Sequence, residues 1–205
     1  MNLSEKLWDN NNDLALHCLN TKFVQGIKNG NLLKKNFQEY VAQDYFFLES
    51  FARAYGLAIN KAIDKYSIKV LSELVVGISK ELILHENYAN SWEINLNRNF
   101  INPSTEKYTD FLKDISQKCS CVEIISAMTP CMRLYSWLGQ NLSKAALNNP
   151  YRDWINTYSD KSFEKLAQSL ENLIDNYANP VDFYKLENLY RRAMELELDF
   201  FNAHA

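Results

Sequence analysis

Five glycines and four prolines are all that punctuate this chain of 205 residues. So few breakers leave long stretches between turns, and long elements favour helices. The apolar pattern agrees. Leu33, Phe37, Val41, Asp44, Phe47/Leu48 and Phe51 recur with a 3.6-residue period, which predicts the longest helix, beginning after Asn29-Gly30-Asn31. Tyr40, Tyr45 and Phe46 thicken its face, so it should be buried on more than one side. An earlier helix is expected from Ser4, as N-cap, to Cys18, with Leu7, Leu14 and Cys18 on one face. Another is expected from Ile68 to Ala89, with Leu71, Leu74/Val75, Ile78, Leu82 and His85 in register.

Asn102-Pro103-Ser104-Thr105 reads as a loop and helix start, because proline is tolerated in a first turn. Val122 to Gly139 is a periodic segment broken by Pro130, and Asn149-Pro150 and Asn179-Pro180 each open a further helix. The last helix carries Tyr190, Ala193/Met194, Glu197 and Phe200/Phe201 on one face. No sustained period-2 alternation occurs, and β-branched runs such as Val122-Glu123-Ile124-Ile125 sit inside helical patterns. With no repeat, linker or low-complexity segment, the reading is one all-α domain over residues 1–205.

Charge excludes some functions. The net charge is −3, and the richest basic runs, Lys34-Lys35 and Arg191-Arg192, are too short for a nucleic-acid footprint. No window approaches the roughly 18 apolar residues of a membrane span. Met1-Asn2-Leu3-Ser4-Glu5-Lys6 lacks the apolar stretch of a signal peptide, so a cytoplasmic protein is expected. Cys18, Cys119, Cys121 and Cys131 form no CxxC pair and read as free thiols; Cys119 and Cys121 would point to different faces of a helix. With histidines scattered at 17, 85 and 204, no structural zinc site is expected. The 12 tyrosines and 11 phenylalanines exceed what a core needs, which suggests a pocket or an interface.

Three residues conflict with their own stripes. Asp44 lies i+3 from Val41 and i−3 from Phe47, and Glu197 lies i+3 from Met194 and i−3 from Phe200. Burying a lone carboxylate costs several kcal/mol unless it is paired, so a chain that places two on dry faces has a use for them. Chance is the competing explanation, since 25 acidic residues on long helices put a few on any stripe. The third is Cys131, on the stripe Ile124, Met128, Cys131, Leu134/Tyr135 and Leu138, directly after Pro130. Proline inside a helix costs roughly 3 kcal/mol and should kink or break it there. Amides freed by the break would favour a thiolate, whereas an ordinary free cysteine simply packs. His85 falls on a core face, where a satisfied histidine is the default.

At these positions the sequence resembles the TenA proteins, or thiaminase II. The segments that carry the resemblance run in order along nearly the whole chain: Phe23-Val24-Gln25-Gly26-Ile27-Lys28-Asn29-Gly30, Tyr40-Val41-Ala42-Gln43-Asp44-Tyr45-Phe46-Phe47-Leu48, Leu84-His85-Glu86, Asn102-Pro103-Ser104-Thr105-Glu106-Lys107-Tyr108, Thr129-Pro130-Cys131-Met132-Arg133-Leu134-Tyr135, Tyr151-Arg152-Asp153-Trp154-Ile155-Asn156-Thr157-Tyr158 and Glu197-Leu198-Asp199-Phe200-Phe201. The resemblance implies a heme-oxygenase-like multi-helix bundle, no metal or organic cofactor, and a homotetramer. It implies hydrolysis of 4-amino-5-aminomethyl-2-methylpyrimidine, and of thiamine less readily, to the hydroxymethyl pyrimidine in thiamine salvage. Cys131 matches the nucleophile, Glu197 the acid/base carboxyl and Asp44 the carboxylate that binds the pyrimidine amine. Tyr108, Tyr135 and Tyr158 match tyrosines that line the pocket.

Two positions depart from the family pattern. Phe47 stands where many members have Tyr, which keeps a stacking face but removes a hydroxyl. Phe201 stands where Trp is common, a packing change. The implied chemistry is consistent with these groups. A thiolate adding to the ring carbon beside the arm lets the ring expel the amine, and water then adds before the thiolate departs. Glu197 would protonate the leaving amine and later activate water, as suits a carboxyl whose pKa burial raises. Two rival readings are a catalytically silent pyrimidine-binding or regulatory protein and, on the same scaffold, a di-iron oxidase drawing on Asp13/His17, Glu81/His85 and His204.

Overall fold

Most joints between the apolar stripes carry a side chain that caps the next helix. The computed structural model describes residues 2–96 and 100–205, and among these there are helices and no strand. Helices α1 (Leu3–Asp9), α2 (Asn12–Leu19) and α3 (Lys22–Asn29) are short; α4 (Lys34–Asn60) and α5 (Lys65–Trp92) form a long hairpin. There follow α6 (Pro103–Lys118), α7 (Cys121–Leu142), α8 (Arg152–Ser159), α9 (Lys161–Tyr177), a 3-10 turn at Pro180–Asp182, and α10 (Phe183–Ala203). Thr21, Asp64, Asn102, Ser120 and Asp160 each accept a first-turn amide of α3, α5, α6, α7 and α9. Gly30 ends α3 with φ 71°, a left-handed conformation that glycine adopts without strain.

The expected Ser4–Cys18 helix is two helices. Asn11, fully buried, turns its side-chain amide onto the Leu7 carbonyl at 2.8 Å, and this local bond substitutes for the ladder there. Ser4 is not the N-cap: it lies inside α1, and both its amide and its hydroxyl donate to Asp175 of α9 at 2.8 Å. Leu33 leaves the stripe it was assigned to, because it precedes α4 and is 61% exposed. α5, at 28 residues, exceeds α4 by one. Cys119 and Cys121 are not on one helix: Cys119 ends α6 and Cys121 begins α7.

The main correction concerns Pro130. α7 runs unbroken from Cys121 to Leu142 with Pro130 inside it. The helix packs against α4, α6, α8, α9 and α10, so nearly every face is covered. Ile124, Ile125, Met128, Leu134 and Leu138 are each at most 1% exposed. Burying one such side chain is worth roughly 1.5–3 kcal/mol, so the five together far outweigh a proline's roughly 3 kcal/mol. Tertiary packing therefore holds straight what local propensity would break. Ser126, whose carbonyl the proline leaves without its amide, donates its hydroxyl to Leu186 O of α10 at 3.0 Å. α7 and α10 form the centre, α4, α6, α8 and α9 pack around α7, and α5 packs on α4 and α9.

Candidate active site

Asp44 and Glu197 are buried, at 4% and 1% exposure, and both partner other polar groups in the interior. α4 contributes Asp44 and Phe47, α5 contributes Glu81 and His85, α7 contributes Cys131 and Tyr135, and α8 contributes Tyr158. Asp44, Phe47, Glu81, Cys131, Tyr135 and Tyr158 line one closed cavity of about 10 Å³. That is room for about one water. Glu197 of α10 and Tyr108 of α6 stand behind this wall. The Tyr108 hydroxyl donates to Glu197 Oε1 at 2.8 Å, and the same carboxyl lies close enough to the Cys131 thiol for its charge to act on it. The thiol and both sequence-flagged carboxyls therefore converge.

Glu81 and His85, which the sequence offered only as ligands of the rival di-iron reading, complete the cluster. The His85 ring makes two contacts: Nδ1 lies 2.9 Å from Glu81 O, and Nε2 lies 2.8 Å from Asp44 Oδ2. A carbonyl can only accept, so Nδ1 carries a proton, and the Nε2–Oδ2 contact holds a second. Burial alone would depress the His85 pKa, but the bond and the negative charge of Asp44 raise it above the usual value. The ring thus bridges the Glu81 backbone and the Asp44 carboxyl. Glu81 shows the same stripe conflict as Asp44 and Glu197, being i+3 from Ile78 and i−4 from His85. Following the stripe through Leu82 instead hid it.

Electrostatics fix the resting protonation. Burial pushes the Cys131 thiol well above its ordinary pKa, and Glu197, Asp44 and Glu81 push it further. The expected helix break with free amides is absent, so Cys131 rests as a thiol and not as a thiolate. Burial also raises Glu197 to about 8, with Asp44 adding to the rise and the Tyr108 and Cys131 bonds opposing it. Glu81 is raised to about 7, chiefly by burial and then by Asp44. Its Oε1 accepts from the Tyr158 hydroxyl at 2.6 Å.

The aromatic residues build the rest. The Phe47 ring lies 4.7 Å from Tyr108 and 5.2 Å from Phe51. Tyr135 accepts from the Tyr40 hydroxyl at 3.2 Å, and Tyr40 accepts from Trp154 Nε1. Phe201, the other departure, packs 5.7 Å from Phe23 and 5.5 Å from Tyr135. Gly139 sets where Tyr158 sits: a Cβ there would lie 2.3 Å from the Tyr158 carbonyl carbon, so the end of α8 rests directly on α7. The ligand set of a di-iron centre is not gathered. Asp13 pairs with Arg191 near the surface while His85 is bonded to Asp44 inside, and among the described residues no group of three His, Cys, Asp or Glu could hold a metal ion. Nor is any helix among them long and apolar enough to cross a membrane.

Comparison with known proteins gives a consistent result. The model of the TENA/THI-4/PQQC family matches residues 8–205. The "Bifunctional TH2 protein, mitochondrial" of Arabidopsis thaliana is 32% identical across 98% of this chain, which spans only 37% of that longer protein. The "Aminopyrimidine aminohydrolase" of Halalkalibacterium halodurans is 31% identical across 89% of this chain and 86% of its own length. Among solved structures, a TenA homologue from Pyrococcus furiosus superposes with a TM-score of 0.92 at 22% identity, covering 99% of this chain and 100% of the other. At that identity the likeness shows the fold, a heme-oxygenase-like helical bundle.

Proposed function

The chain belongs to the TENA/THI-4/PQQC family, and from that premise we propose that it is an aminopyrimidine aminohydrolase of the thiaminase II type. The substrate is 4-amino-5-aminomethyl-2-methylpyrimidine, with thiamine as the poorer one, and the product is the hydroxymethyl pyrimidine of thiamine salvage. The observation that carries this reading is that Cys131 and Asp44 line one water-poor cavity with Glu197 buried behind its wall. Relatives named for the same activity support it.

In this reaction the Asp44 carboxyl, oriented by its bond to His85, accepts a hydrogen bond from the ring's 4-amino group. Phe47 stacks on the ring, and Tyr135 and Tyr158 close its edges. Cys131 cannot ionise alone in this setting, so in the ionised form of Glu197 the thiol proton passes to that carboxylate as the sulfur attacks the ring carbon beside the arm. The new C–S bond displaces a ring π pair, which forms an exocyclic C=C as the C–N bond breaks; the departing nitrogen keeps the bond pair and takes a proton from a carboxyl of the site to leave as ammonia. Water then adds to that methylene and gives its extra proton back to that carboxylate, the pair returns to the ring, and the sulfur departs, regaining its proton from Glu197. We assign the enzyme to the cytoplasm as a homotetramer, with light scattering on the purified protein as the check on assembly.

Ammonia release from the aminomethylpyrimidine tests the proposal directly. Cys131→Ser should lower turnover by roughly a thousandfold or more while leaving the melting temperature nearly unchanged. A serine variant hydrolysing at the wild-type rate would refute the nucleophile, and a wild-type protein that binds the pyrimidine without releasing ammonia would be a binding protein.

A further inference from the structure

The small cavity adjoins a larger chamber of about 330 Å³ between α5, α7 and the start of α9. Ile78, Glu81, Met132 and Phe163 line both spaces, so these four side chains form the partition between them. Ile78 is stiff and Met132 adaptable. Phe163 stands in the first turn of α9, after Asp160, the single residue that joins it to α8. Of the four, only Glu81 can give up a proton. Glu197 belongs to the wall of neither space, being engaged by Tyr108 and Cys131 behind the cavity. The chamber side of the partition also presents Tyr55, whose buried hydroxyl has no hydrogen-bond partner among the described residues.

A ring held on Asp44 and attacked by Cys131 has its departing arm beside the partition, and the way from there to the larger, half-open pocket passes Glu81. Building on the reaction proposed above, we infer that Glu81 is a second catalytic carboxyl, which delivers a proton to the departing amine while Glu197 serves the thiol. The step balances: the C–N bond breaks, its electron pair stays on nitrogen, the Glu81 O–H proton bonds to that pair, and ammonia leaves a Glu81 carboxylate. Water adding to the exocyclic methylene then returns a proton to Glu81. Asp44 from α4, Cys131 from α7, Tyr158 from α8 and His85 on its own helix face this carboxyl. Their combined surroundings leave a large fraction of it protonated near pH 7, which an exposed glutamate would not be. The Tyr158 hydroxyl holds one carboxyl oxygen at 2.6 Å and orients the other.

Leaving-group dependence separates this role from packing. An aminomethyl nitrogen must take a proton to depart as ammonia, whereas the thiazolium nitrogen of thiamine departs as a neutral thiazole and needs none. Glu81→Gln keeps an oxygen for Tyr158 and removes the acid. In single-turnover rapid-quench experiments, the variant should release ammonia at least about 100-fold more slowly than wild type. Its release of the thiazole from thiamine should slow by less than about fivefold, which also shows that the variant is folded. Equal slowing for both leaving groups, or no slowing for either, would overturn the assignment. Wild-type protein that releases neither group would refute the aminohydrolase reaction itself, a result distinct from a failure of Glu81 alone.

Discussion

Gly139→Ala probes how the site is held. The added methyl carbon would sit 2.3 Å from the Tyr158 carbonyl carbon and 2.5 Å from the Ser159 nitrogen, where ordinary contact begins at 3.4 Å. The end of α8 must therefore retreat by about 1 Å, and both atoms met are backbone, which cannot swing aside as a side chain would. A Tyr158 hydroxyl carried the same distance leaves its 2.6 Å contact with Glu81 beyond hydrogen-bond reach. Overpacking of this kind costs roughly 1–3 kcal/mol, which for a chain of this size lowers Tm by roughly 2–12 °C. A displacement of that size at a catalytic group can lower kcat by about 100-fold. Gly56→Ala is the control. It lies in α4 with nothing within 4 Å of the new methyl, so it should gain up to about 1 kcal/mol of helix propensity and keep full activity. Calorimetry and ammonia release on the two variants decide the matter. If Gly139→Ala melts and turns over like wild type, the backbone contact does not position Tyr158.

His204 is 2% exposed against Phe23, Tyr40 and Phe200, with no partner for either ring nitrogen among the described residues, and burial lowers its pKa from 6.5 to about 4. The unfolded chain binds a proton there that the native state refuses, so stability should fall as pH drops from above 6.5 toward 4, by roughly 3 kcal/mol at the lower limit. In urea melts, His204→Phe should lose that much less than wild type between pH 7 and pH 4.5; parallel losses would discount the histidine. Phe47→Tyr restores a hydroxyl beside the closed cavity and should raise kcat by roughly fivefold, the worth of about one hydrogen bond, with little change in Tm. Identical kinetic constants would make that hydroxyl immaterial.

The candidate residues that could be picked out from periodicity share one property: each stands against its own local pattern. Asp44 and Glu197 are acids on apolar stripes, and a 3.6-residue period places them inward whatever the rest of the fold does. Their partners could not be read that way. His85 meets Asp44 across 41 positions and Tyr158 meets Glu81 across 77, and no helical period reports which helix lies opposite. The same holds for Tyr108, expected on the pocket wall and found bonded to Glu197 behind it. The Cys131 environment was misread for a related reason. Proline's effect is local, but the packing that keeps α7 continuous and its thiol protonated comes from five other helices.

The sequence by itself determined that the chain is helical, where most helices start, which faces are apolar, and that a thiol and two acids are directed into the core. These follow from breakers, caps and periodicity, which act over a few residues. Only the tertiary structure decided that the acids meet the thiol, that a histidine bonds Asp44, that Glu81 stands between the two spaces, and that a glycine lets α8 rest on α7. Those outcomes depend on desolvation and on contacts between distant segments, whose energies exist only once the helices have packed.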